Sequence, residues 1–219
     1  MTRLNPKSSN RTFLVIGTVV AVILIALAVF AVRPGGSAST KSIDLSGQPM
    51  LGQAAAKVTM VVFEDFKCPN CKNFEDNTMP TLQSKYIDTG KVKVYHINFP
   101  FIGPDSTTAA EAAECVNLQK GAAGYNQFAT YLFRAQGDER TQWATASKLE
   151  DIASNIEGLD AAKFKTCLET GATKPQVDTD SALATKTGVN STPSVFINGV
   201  LAADYSVATV SAAIDKALQ

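Results

Sequence analysis

Cys68-Pro69-Asn70-Cys71 follows an apolar run, Val58-Thr59-Met60-Val61-Val62-Phe63, and opens a helical-looking stretch, Lys72-Asn73-Phe74-Glu75. Two thiols separated by two residues at a strand-to-helix turn can form and break a disulfide reversibly. The helix start lowers the pKa of the first thiol, and the short spacing keeps the second within bonding reach. Pro69 suits the first helical position, where its missing N–H has no intrahelical partner to lose. Half of a zinc site and a plain structural disulfide are the competing readings. Zinc in a structural site takes four Cys or His ligands at paired spacings. Here there is one histidine, His96, and the other two cysteines, Cys115 and Cys167, lie far apart. No metal-ligand set and no cofactor-binding residue is read from the sequence, and His96 is assigned no function.

The elements that must hold this turn read in three pieces. From about Met50 to Pro104 come a strand at 58–63, a helix from the cysteine turn to about Asp88, and a strand at Val92–Phe99. Thr89-Gly90 is suited to close that helix, and Pro80 should kink it. Strand, helix and strand at this spacing predict a parallel pair with a right-handed crossover. From about 105 to 187 the periodicity is helical. Asp105-Ser106-Thr107 starts a helix through the Ala-rich 109–119 stretch, Gly121 and Gly124 break it, and Tyr125, Phe128, Leu132 and Phe133 recur at helical spacing as core positions. Further helices are predicted over Ala144–Ile156, Asp160–Leu168 and Pro175–Thr187. Last come Ser194-Val195-Phe196-Ile197, an Asn198-Gly199 turn and Val200-Leu201, a hairpin signal, then an amphipathic helix from Val207 to Leu218.

Residues 13–32 contain twenty residues without a charge, about 30 Å of helix and one hydrocarbon thickness. Arg3, Lys7 and Arg11 precede them and no acid lies before Arg33. Residues 1–12 are therefore expected on the cytoplasmic side, 13–32 as a transmembrane anchor, and the rest outside. A cleaved signal peptide is the competing reading, although its apolar core is shorter, about 7–15 residues. Residues 33–47, rich in Gly, Ser, Thr and Pro, read as a flexible linker. Four of the twenty Lys and Arg lie in 1–33, so sixteen face twenty Asp and Glu beyond it. That mildly acidic balance, without a basic run, excludes nucleic acid as a partner class.

Together, Phe63-Glu64-Asp65-Phe66-Lys67-Cys68-Pro69-Asn70-Cys71 and Val189-Asn190-Ser191-Thr192-Pro193 resemble the DsbA-like branch of the thioredoxin superfamily. The resemblance covers about 48–219. It implies an α/β thioredoxin-like fold with an inserted helical subdomain, about 105–187. It also implies a cis proline at Pro193 that turns the backbone of Thr192 toward the active-site disulfide and an extended substrate segment. Members of the branch carry a second, structural bridge in the insertion, which implies Cys115–Cys167; two buried free thiols are the alternative. The partners implied are exported proteins bearing cysteine thiols and a quinone-linked membrane oxidase.

Cys68 is expected to be the more exposed and reacting sulfur, with Cys71 resolving. Lys67 and Lys72 could add positive potential, but each taken singly reads as solvated surface. Two departures from the family pattern stand out. Many relatives carry a buried acid six positions before the first cysteine, where this chain has Val62, leaving Glu64, Asp65 or water to take the proton of Cys71. Strongly oxidising members carry His where this chain has Asn70, which implies a less extreme potential. The leading expectation is an extracytoplasmic thiol:disulfide oxidoreductase that donates disulfides through Cys68 and Cys71. An isomerase or reductase of the same fold is one alternative, and a non-enzymatic holdase with structural cysteines is the other.

Overall fold

The computed structural model describes residues 40–219 and, before them, only Val15, Ile16, Val19, Val20, Val22 and Ile23, all helical and exposed. The rest of the predicted anchor, and residues 1–12 and 33–39, lie outside the described residues. Among the described residues, no helix is long and apolar enough to cross a membrane.

From Thr40 onward the chain builds one five-stranded sheet in the order β1-β3-β2-β4-β5. The strands are β1 (Met50–Gly52), β2 (Val58–Glu64), β3 (Val92–Asn98), β4 (Ser194–Ile197) and β5 (Val200–Leu201). β2 and β3 run parallel, with Val62 opposite His96 and Glu64 opposite Asn98. The other pairings are antiparallel. β2 is central and buried on both faces, which explains its near-continuous apolar run. Val58, Met60 and Val62 point to one face and Val61 and Phe63 to the other. Glu64 continues the first set by parity. β1 was not predicted: three residues with little alternation give no signal, and its pairing to β3 comes from tertiary contacts.

Between β2 and β3 runs the helical segment α1, made of Pro69–Asn73, Phe74–Thr78, Met79–Leu82 and Gln83–Ile87. Phe74–Thr78 is a π-turn, in which the Met79 N–H reaches back to the Phe74 carbonyl. Pro80 follows at once, so the disturbance predicted at this proline takes the form of a widened turn. The insertion comprises α2 (Pro104–Ala135), α3 (Ala146–Ala153), α4 (Ala161–Thr170) and α5 (Lys174–Thr187). Gly121 breaks α2 with φ 64° and ψ −168°. Gly124, predicted as a second break, stays helical. Thr145 and Asp160 cap α3 and α4, accepting from the N–H of Lys148 and Lys163. Asn198 (φ 47°) and Gly199 (φ 79°) make the β4–β5 turn, where left-handed backbone favours these residue types. The helix α6 (Val207–Ala217) packs its Val210 and Ile214 on the α1 face of the sheet.

Tyr125, Phe128, Leu132 and Phe133 fill the core of the insertion, which continues without a gap to Phe66, Cys68 and Cys71. A buried polar network also ties the insertion to β3. The Asn98 amide donates to Glu114 Oε1 (3.0 Å) and Asp180 Oδ2 (3.1 Å), and accepts from the Tyr125 hydroxyl (3.0 Å). Cys115 and Cys167 are joined in a disulfide between α2 and α4. The bridge closes a loop of about 53 residues, and the chain-entropy model gives it up to about 4 kcal/mol. Replacing both cysteines by alanine should lower the urea midpoint and the unfolding free energy, the latter by about 2–4 kcal/mol. An unchanged midpoint would show that the bridge carries no stability.

Candidate active site

The site begins with the backbone around Asp65. Its Oδ1 accepts from the Lys67 N–H (2.8 Å), and its Oδ2 accepts from the N–H groups of Phe101 (2.9 Å) and Ile102 (3.1 Å). The carboxylate thus fixes the end of β2 against the segment after β3. Asp65 is thereby occupied as a structural acceptor, which removes one of the two acids considered for Cys71. The Gln136 amide donates to the carbonyls of Phe66 (2.8 Å) and Cys68 (3.1 Å), holding the same turn from the end of α2.

Lys67 differs from its sequence reading. It is 2% exposed, and its ammonium sits 2.6 Å from Asp105 Oδ1 and 2.8 Å from the Thr141 carbonyl. A lysine next to an active-site cysteine looks solvated because nothing in its neighbours announces a partner 38 positions away. Its charge is committed to Asp105, whose other oxygen accepts from the Ala144 N–H (3.2 Å). Lys72 remains partly exposed. It donates to the Phe133 carbonyl (2.7 Å) and pairs with Asp76 (3.1 Å). Both lysines brace the turn against the insertion.

Cys68 occupies the position before α1, with extended backbone (φ −73°, ψ 118°) and Pro69 at the first helical position. Its sulfur therefore lies where the free N–H groups of the helix start converge. The thiol is lowered to about 6, first by the Cys71 thiol that hydrogen-bonds to it, against the opposing effect of burial. The N–H groups of Cys71 and Asn70 lower it further. At pH 7 such a thiol is about nine-tenths ionised. Cys71 behaves oppositely. It is wholly buried, and burial pushes its thiol well up, reinforced by Cys68 and by the nearby Glu64 carboxyl. One sulfur is thus poised as thiolate and the other as thiol. Both are largely enclosed, Cys68 at 6% exposure and Cys71 at 0%.

Across from them, the Thr192–Pro193 bond is cis, and the Thr192 carbonyl lies 3.3 Å from Cys68 Sγ. The Cys68 thiol donates to it when protonated. The loop before β4 thereby meets the turn before α1 at the reacting sulfur.

Behind Cys71 lies a group of which the sequence reading gave a role only to Glu64, as a candidate acceptor of the Cys71 proton. Glu64, on the Val62 face of β2, accepts from or donates to His96 Nδ1 at 2.9 Å, and Glu75 of α1 approaches both. Val62 itself is fully buried core, so the acid that many relatives carry there is displaced by two residues along the same strand face. Burial and the Glu64 charge push Glu75 up. For His96, burial works downward, but the charges of Glu64 and Glu75 more than offset it and the imidazole is raised. The strand parity of Glu64 and His96, together with the i, i+4 relation of Cys71 and Glu75, could have signalled this convergence.

The protein family described as Thioredoxin matches residues 44–216. The chain belongs to that family, in its DsbA-like branch. It is 34% identical over 218 residues to the probable disulfide bond formation protein D of Bacillus anthracis, spanning 97% of this chain and 99% of that one. Disulfide bond formation protein D of Bacillus subtilis (strain 168) is 34% identical over 164 residues, 75% of this chain and 73% of that one. The crystal structure of oxidised BdbD from Bacillus subtilis superposes with a TM-score of 0.78 at 32% identity, covering 83% and 98% of the two chains. Chlamydia trachomatis DsbA, at 20% identity and a TM-score of 0.73 over 81% and 96%, shares the fold. With these relatives and the dithiol geometry, the protein is a thiol:disulfide oxidoreductase.

The thiolate makes the reduced protein's stability pH-dependent. A thiol depressed from its ordinary value to about 6 adds stability that is fully present above the unfolded pKa and is lost as pH falls through 6. Reduced wild type should therefore gain about 1 kcal/mol over Cys68→Ser between pH 5 and 7, and thiolate absorbance should titrate with a midpoint near 6. Lys67→Met should leave that midpoint in place while costing about 3 kcal/mol, because it strands the buried Asp105. A midpoint near 9, or one that moves with Lys67, would contradict the assignment.

Proposed function

We propose that this chain donates disulfides to exported proteins outside the cytoplasmic membrane, using Cys68 and Cys71 as its redox pair and Thr192 and Pro193 as the substrate-facing edge. The observation that carries this reading is the split between the two thiols, Cys68 lowered to about 6 and Cys71 raised well above its usual range. A stabilised thiolate favours the dithiol form, and so makes the disulfide a stronger oxidant. A substrate thiolate attacks Cys68 Sγ, the bond to Cys71 breaks, and the departing Cys71 sulfur takes up a proton. A second substrate thiolate then attacks the substrate sulfur of the mixed disulfide. Cys68 leaves as its thiolate, a good leaving group because its pKa is low. The substrate loses two electrons and the protein dithiol gains them. A quinone-linked membrane oxidase, the partner class implied by the family resemblance, would return the pair to the disulfide.

Placement rests on the N-terminal sequence. Residues 13–32 are proposed as a single anchor, with 1–12 cytoplasmic, 33–47 as tether and 48–219 as the outward catalytic domain. The tether supports action over a range of surface distances, suited to chains emerging from the membrane.

Equilibration with glutathione gives the potential. It should fall between the thioredoxin value of about −270 mV and the DsbA value of about −120 mV, nearer the latter. A value at or below the first would overturn the donor direction. A value at or above the second would remove the weight placed on Asn70.

A further inference from the structure

The cavity behind Cys71 has about 410 Å³ of open volume and is lined by Glu64, Glu75 and His96 together with Asn126, Thr130 and Arg134. Its polar wall is out of balance. Glu64 is 1% exposed, and among the described residues its Oε2 has no hydrogen-bond partner. Glu75 Oε1 and Asn126 Oδ1, both sealed from solvent, have none either. Three buried acceptor oxygens thus line one chamber without a donor, where buried polar atoms are ordinarily paired. Among the described residues the group's one internal hydrogen bond, His96 Nδ1 to Glu64 Oε1 at 2.9 Å, uses one oxygen of one carboxylate.

We propose that Glu64, Glu75 and His96 form a binding site for a divalent transition-metal ion of the zinc class, seated between β2, β3 and α1. The donor atoms of the three residues lie within 4.8 Å of one another. Zinc bonds to imidazole and carboxylate of about 2.0–2.2 Å place neighbouring ligands about 3.4 Å apart. Small side-chain rotations close that difference, with the 2.9 Å hydrogen bond opening as His96 yields its proton to become a ligand. One imidazole with two carboxylates suits a borderline cation, and the two carboxylates neutralise its charge beside the buried Glu64 and His96. The cavity leaves room for water in the remaining position. Asn126 lines the same cavity and offers it an unpartnered acceptor oxygen among the described residues. Arg134 is the competing cation at this cavity, and among the described residues it forms no ion pair with Glu64 or Glu75. The site lies behind the cysteines and needs neither of them, so it does not depend on the direction of disulfide exchange.

The test uses the untagged full chain in detergent, in its oxidised form, so that the Cys68 and Cys71 thiols cannot hold metal. Equilibrium dialysis against micromolar zinc chloride, with metal quantitation, should find one equivalent. Cobalt(II) should give the absorption of a nitrogen- and oxygen-bound ion without a thiolate charge-transfer band. Glu75→Gln and His96→Asn should each weaken zinc binding roughly tenfold or more with the circular dichroism unchanged. Glu114→Gln, in the separate Asn98 network, should retain it. If His96→Asn fails to fold, Glu75→Gln, at a partly exposed residue, decides the outcome. Absence of bound zinc at micromolar levels, with the cavity satisfied by water alone, overturns the proposal. So does binding that Glu75→Gln leaves intact, or that Glu114→Gln abolishes.

Discussion

Two sulfurs one helical turn apart must be kept in different protonation states, and most of the structure around them follows from that demand. A thiolate can be held in a largely enclosed place only if donors converge on it without competing for intrahelical bonds. The position before a helix supplies those donors, and Pro69 contributes a helical residue that has no N–H to satisfy. Cys71, three residues on, is turned into the core, where burial and the Glu64 carboxyl both oppose its ionisation. The asymmetry therefore comes from where the helix begins rather than from a strong cation. The neighbouring lysines bear this out: the Lys67 charge is spent on Asp105, and the Lys72 ammonium turns to Phe133 and Asp76.

Holding the helix start in place requires bracing from segments distant in sequence. Asp65 ties the strand end to the loop after β3, Gln136 ties the turn to the end of α2, and the Lys67–Asp105 pair ties it to the beginning of α2. Each of these contacts reaches the insertion or the chain leading into it. The insertion thus acts as a clamp around the cysteine turn, and its core runs directly into Cys68 and Cys71. The cost of such enclosure is that buried carboxylates accumulate on the sheet face behind the site, where Glu64, Glu75 and His96 share a cavity.

What was legible in the sequence were features with a local period or a local rule. The buried β2 run, the Asn198-Gly199 turn, the helix starting at Asp160 and the Gly121 break all declare themselves within a few residues. The α/β frame with its helical insertion could be read for the same reason, and the family resemblance made it thioredoxin-like. What escaped depends on long-range contact. β1 exists because β3 offers it an edge, Lys67 is buried because Asp105 lies beneath it, and Gln136 matters only because α2 ends beside Cys68. The Glu64, Glu75 and His96 group was divided among two strands and a helix, so Glu64 was noticed alone and Glu75 and His96 looked ordinary. The parity of β2 was the one available clue that the acid missing at Val62 had moved to Glu64.

The central claim is that the thiolate-favouring environment of Cys68 makes this protein an electron acceptor from its substrates. The most direct check is the redox state of Cys68 and Cys71 in growing cells, fixed by acid quenching and read by mass-tagged alkylation. A donor that is continually re-oxidised should be found mostly as the Cys68–Cys71 disulfide, shifting to the dithiol when quinone-linked oxidation is blocked. A pair found mostly reduced at steady state, unaffected by that block, would contradict the account.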